Sequence, residues 1–146
     1  MSTSPSNKIL YLMATKKVDF SADTFKIILM QSGFTYNKDT HEDYGDVSAS
    51  ELATASGYTA GGNTLGGVAV TEDDTNDECS ITWNNTSWIA SGGNIVASGA
   101  IIFDDTVATP ADPIVGYIDF GTDQTTLDGG TFTLTNIEVV IQNIDS

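Results

Sequence analysis

The chain has 146 residues and a formal net charge of −15, with 20 acids, 5 lysines, no arginine, one histidine and one cysteine. That length suits one domain with a sizeable core, and the charge repels nucleic acid and anionic membranes. A single cysteine excludes an intrachain disulfide, and no apolar run approaches the ~20 residues of a membrane-spanning helix.

The first eight residues, MSTSPSNK, are polar and read as an arm that orders only against a partner. Ile9 to Phe20 (ILYLMATKKVDF) is a strand or a short helix, and its apolar run Ile9 to Ala14, with lysines on both sides, is too short for a signal-peptide core. Residues 1–17 are therefore taken as an N-terminal arm and docking segment, and residues 18–146 as the folded domain. Thr24 to Met30 reads as a strand covered on both faces. Phe25, Ile27 and Leu29 form one face, and Ile28 and Met30 join Lys26 on the other. A polar loop with aromatic anchors Phe34, Tyr36 and Tyr44 follows. Asp46 or Ser48 is expected to cap a short helix running to about Ala55, with Glu51 in its first turn and Gly57 as its stop.

Gly61-Gly62-Asn63 marks a tight turn before a strand begun by Leu65, Val68 and Val70, with a bulge at Gly66-Gly67. CSITWN is the next strand, and Asn84 to Ser87 is a turn rather than a glycosylation acceptor. Asn94 to Phe103 makes one strand or two. Asp104 to Pro113 is a loop, IVGYIDF a strand and GTDQTTLDGG a turn. TFTLTNIEVVIQN reads as the longest strand, but its alternation changes phase. Phe132 and Leu134 share one parity and Ile137, Val139 and Ile141 the other, so a bulge or bend is expected near Asn136. Many short strands and abundant turn residues predict an all-β, single-domain antiparallel β-sandwich with one short helix and a polar N-terminal arm.

Charge is divided along the chain. Residues 1–38 hold Lys8, Lys16, Lys17, Lys26 and Lys38 against Asp19 and Asp23, a net of +3. Residues 39–146 hold the other 18 acids and no cation. A basic start on an acidic body suggests two faces with different partners.

The densest acidic stretch, Glu72 to Glu78, has five carboxylates in seven residues. Read as a calcium loop from Asp73, it places Glu78 at the turn glycine and Asn84 at the terminal glutamate. Read from Asp74, it places Cys79 and Asn85 there. Both frames fail, and a solvated hairpin turn is the better reading. Asp104-Asp105 and Asp119 with Asp123 are formal acid pairs, but no cleft with a buried carboxyl is evident for glycosidase-like chemistry. His41 and Cys79 do not have zinc-ligand spacing, and GxSxG is absent. Cys79 is expected to be buried packing, and Trp83 and Trp88 core aromatics. The residues name no catalytic group, no metal and no cofactor.

The segments DTFKIILM, NKDTHEDYGDV, ELATASGYTAGG, LGGVAVTEDDTND, GAIIFDDT, VGYIDFGTDQ and GGTFTL occur in this order. Together, over roughly residues 18–135, they resemble a family of small virion structural proteins of tailed bacteriophages, encoded among head and tail morphogenesis genes. The closing IEVVIQNIDS departs from that family's shorter, Trp- and Gly-containing finish, and residues 1–8 lie outside the match. The resemblance implies a non-enzymatic virion protein made in the host cytoplasm. The expected role is capsid decoration (cement) on the outer surface of the head. The expected partners are the major capsid protein and further copies of the chain as a homotrimer, with no nucleic acid and no membrane. Lys8, Ile9, Leu10, Tyr11, Leu12, Met13, Lys16 and Lys17 are the docking candidates. The alternative is a tail or head-fibre component that recognises a host surface through an exposed Trp88 and the loop Asp104–Pro113.

Overall fold

The computed structural model describes residues 2–143. In chain order the elements are β1 (Ser2–Pro5), α1 (Asn7–Ala14), β2 (Phe25–Met30), α2 (Tyr44–Val47), β3 (Asn63–Leu65), β4 (Ala69–Asp73) and β5 (Glu78–Trp83). They continue with β6 (Thr86–Ile89), β7 (Ile95–Asp104), β8 (Ile114–Thr126), β9 (Thr131–Leu134) and β10 (Ile137–Gln142). One layer is a five-stranded sheet in the order β1-β8-β7-β2-β3. The other side of the core is built from the sheet β10-β5-β4 and the pair β6-β9. Every named pairing is antiparallel. The fold is the all-β, sandwich-like domain that the turn-rich composition predicts.

The apolar residues explain the layering. Phe25, Ile27 and Leu29 face a main core shared with Ile81 and Trp83 of β5, Phe132 of β9 and Val139 of β10. Ile28 and Met30 face a second cluster with Ile101, Phe103, Ile114 and Tyr117, covered by Phe34, Tyr36 and Tyr44. Strand β2 is thus covered on both faces, which is why TFKIILM lacks clean alternation. Two close approaches need glycine. A Cβ on Gly99 would stand 2.4 Å from the Tyr117 hydroxyl oxygen, and one on Gly62 would stand 1.9 Å from the carbonyl oxygen of Ile27.

Several expectations are corrected. The polar start is not a free arm. Ser2 to Pro5 pairs with Asp119 to Gly116 of β8, so its backbone bonds are made within the domain. Ser6, wholly buried, accepts from the Ile9 amide at 3.0 Å and donates to the Ile114 carbonyl at 2.6 Å. That side chain caps α1 and fastens it to the sheet. Among the described residues there are two α-helices rather than one. The second starts earlier than predicted, because Asp43 and Asp46 form a reciprocal capping box around Tyr44–Val47. A 3₁₀ turn at Ser48–Ser50 ends it, leaving Glu51 outside the helix.

The expected longest strand is two strands in different sheets. Asn136 sits at φ 53°, a left-handed corner that carries the chain from β9 to β10. The phase change marks that corner, and both apolar sets then face the same core. The longest strand is instead β8, with 13 residues, which runs through the predicted GTDQTT turn to Thr126.

Candidate functional site

Helix α1 carries most of the predicted docking residues, and its period sorts them onto two sides. Ile9 and Leu12, three apart, are 0% and 1% exposed and belong to the main core. Met13 is half-buried against it. Leu10 and Tyr11 point outward, at 43% and 63% exposure. The Lys8 ammonium lies 5.7 Å from the Tyr11 ring centroid and 3.6 Å from the Glu42 carboxylate. The helix stops where Lys16 takes φ 59°. There the Lys16 and Lys17 amides return to the Met13 and Leu12 carbonyls at 3.2 and 2.8 Å. Both lysine side chains are exposed. Ile9 and Leu12 are therefore corrected from docking residues to anchors, because the domain's own core already covers them. Leu10, Tyr11, Lys16 and Lys17 remain as the outward set, with Lys8 beside them.

The acidic stretch is a hairpin turn between β4 and β5. One oxygen of Asp73 accepts from the Thr75 and Asn76 amides at 2.9 and 3.1 Å, and the other accepts from the Asn76 side chain at 2.8 Å. These donors hold the Asp73 carboxyl below its ordinary range, the Asn76 side chain contributing most. Among the described residues no three His, Cys, Asp or Glu side chains are gathered as a metal-binding group. Adding a chelator is accordingly expected to leave the melting temperature unchanged. A fall of several degrees in calorimetry would show that these carboxylates hold calcium after all.

Two buried carboxyls escaped the sequence reading. Glu51, 5% exposed, accepts from the hydroxyls of Tyr44 and Tyr58 at 2.5 and 2.7 Å and from the Gly61 amide at 2.7 Å. Burial and then these bonds push both tyrosines up, Tyr44 to about 12. Asp104, at the end of β7, has no exposed surface. One of its oxygens accepts from the Thr106 amide at 2.8 Å, and the other has no donor. Burial, then the adjacent Asp23 carboxyl, push Asp104 up to about 7.

No protein-family model, curated protein or solved structure matches this chain.

The remaining candidates fall outside any shared constellation. Asp119 and Asp123 line one cleft of about 420 Å³ with Phe34, Tyr36 and Tyr117. Both carboxylates are exposed, and each is tied to a local donor, the Gly121 amide at 2.8 Å and the Ser32 hydroxyl at 2.5 Å. His41 stacks on Phe34 at 5.5 Å and accepts from the Asn37 amide at 3.1 Å, as a loop residue. Cys79 is half-buried rather than fully buried. Trp83 and Trp88 are core residues at 6% and 5% exposure. Trp88 is thus not an exposed recognition residue, because β6 turns it onto Tyr58 and Phe132. No described helix is long and apolar enough to cross a membrane.

Proposed function

We propose that this chain is a non-enzymatic structural protein of a bacteriophage virion, a decoration (cement) protein that binds the outside of the head and stabilises it. The observation that carries the docking step is the two-sided helix α1. Its inner side is locked into the core by Ile9 and Leu12, while its outer side offers Leu10 and Tyr11, with Lys8 beside Tyr11 and Lys16 and Lys17 exposed just past the helix end. A rigid element that exposes an apolar pair with two exposed lysines at its C-terminal end suits a partner surface with an apolar centre and acidic groups on one side. In this reading the partner is the major capsid protein, neighbouring copies pack beside one another as a trimer, and the acidic body faces solvent. Stabilisation comes from added interface and mass action rather than from chemistry. The motif order that resembles phage virion proteins supports the setting.

The test keeps the fold and alters only the outer side. A variant with Leu10→Ser, Tyr11→Ser, Lys16→Glu and Lys17→Glu is mixed with phage heads that lack the protein, and co-sedimentation is measured. Binding is expected to fall at least about tenfold, the equivalent of ~1.4 kcal/mol, with the far-UV spectrum unchanged. Undiminished binding would remove α1 from the docking role. Wild-type binding should also weaken as salt rises, because the charges of Lys16 and Lys17 are solvent-exposed.

A further inference from the structure

We propose that Asp23 and Asp104 form a proton-bridged carboxyl pair that latches the Asp19–Thr24 turn to the loop after β7, and that loss of the shared proton loosens this end of the domain.

Hydrogen bonds between their turns bring the two acids together where one buried Asp104 oxygen lacks a donor. Asp104 is wholly buried, with one oxygen given to the Thr106 and Val107 amides at 2.8 and 3.4 Å. Its second oxygen has no donor, and the Asp23 carboxyl is the neighbouring acid that acts on Asp104. One oxygen of Asp23 is occupied by the Asp19 amide at 2.9 Å. The turns that carry the two acids are already stitched together. The Asp105 amide donates to the Thr24 carbonyl at 2.8 Å, and the Thr24 amide donates to the Thr106 hydroxyl at 2.8 Å. Two ionised carboxylates held together in this clasp repel, and a proton between them supplies the missing donor.

The surrounding charges do not replace that proton. Asp19 shares the turn with Asp23, and its carboxyl is occupied by the Ser21 hydroxyl and amide. Asp105 adjoins Asp104 and is exposed. Asp112 feels Asp105 and Asp43 as like charges and Lys26 as an opposite one, while Asp23 is the charged group that acts on Asp104. A calcium ion would need about six to eight oxygens, and the free oxygens of two acids fall well short.

The direction with pH follows from the folded-state shift. Asp104 rises from 3.8 to about 7, so its protonated form is favoured on folding. The domain is expected to lose stability from this group as pH climbs between those values, with the loss complete above the upper one. Asparagine at either position mimics the protonated acid by supplying an N–H to its partner.

The experiment follows melting temperature from pH 4.5 to 8.5 for wild type, Asp104→Asn and Asp23→Asn, with amide exchange at Thr106 and Val107 as the local readout. At the acid end all three should melt alike. Toward pH 8 both variants should melt about 5 °C or more above wild type, and the two wild-type amides should exchange faster. Curves that stay parallel across the range would overturn the latch. So would a wild type that 1 mM calcium stabilises at pH 8 while leaving both variants unmoved, since a cation would then occupy the gap.

Discussion

Replacing Ile9 and Leu12 together by alanine is expected to leave the domain largely unfolded at room temperature. Both side chains are essentially unexposed within the main core. Each such truncation costs about 2–5 kcal/mol, whereas a domain of this size is stable by only about 5–15 kcal/mol. The two positions adjoin on one side of α1, so their cavities merge and the losses are not strictly additive. Urea denaturation followed by circular dichroism measures the result. Ile9→Ala alone should shift the midpoint clearly, and the double variant should show little cooperative transition. Leu10→Ala and Tyr11→Ala, on the outer side of the same helix, should stay within about 0.5 kcal/mol of wild type. If the double variant lost less than about 2 kcal/mol, the helix would be a peripheral attachment after all. The contrast matters for function, because deleting residues 1–17 would remove the core anchors along with the outer residues. For the proposed docking role, a loss of capsid binding in that truncation would therefore report unfolding.

Some of this was legible in the sequence and some was not, for identifiable reasons. TFKIILM announced a strand covered on both faces, and it lies inside the larger sheet, between β7 and the short edge strand β3. The parity change at Asn136 announced a backbone irregularity at the right place. It did not reveal that the chain changes sheets there, because a bulge and a corner leave the same parity signature. Eight residues at α1 are too few for periodicity to separate helix from strand. With helix and strand both open, which of Ile9, Leu10, Tyr11 and Leu12 faced inward was also open. Asp43 and Asp46 formed a capping box one turn before the predicted start, where Asp, Glu and Ser are dense and several caps compete. The buried carboxyls were hidden for a different reason. Asp104-Asp105 looks like any polar step at a strand end. What separates the two is tertiary, since β2 and the loop up to Pro113 close over Asp104 and leave its neighbour exposed.

Glu51 is the tie for which the larger single-site effect is expected. It lies beside Met30 of β2 in an isolated antiparallel bridge, and its carboxylate collects donors from two further places, Tyr44 on α2 and the Tyr58–Gly61 turn. The Tyr58 hydroxyl also accepts from the Leu29 amide at 3.1 Å, so the network reaches β2 itself. Glu51→Ala strands the Tyr58 hydroxyl and the Gly61 amide, while half-buried Tyr44 can turn to water. At about 1–3 kcal/mol for each stranded group, the expected loss is about 3–5 kcal/mol. Glu51→Gln keeps one acceptor oxygen and offers its N–H₂ to a hydroxyl that can accept, so about 1–2 kcal/mol is expected. Alkaline pH supplies an independent check. Tyr44 rises from 10.0 to about 12, chiefly through burial and next through its bond to Glu51. The neutral phenol is therefore favoured on folding. Stability from this group is intact below the lower value and declines as pH rises through the upper one. Removing the Glu51 charge removes part of that rise, so Glu51→Gln should lose stability less steeply than wild type above pH 10 in the same denaturant series. A Glu51→Ala protein that melts within about a degree of wild type would show that β2, α2 and the Tyr58 turn are held by packing alone.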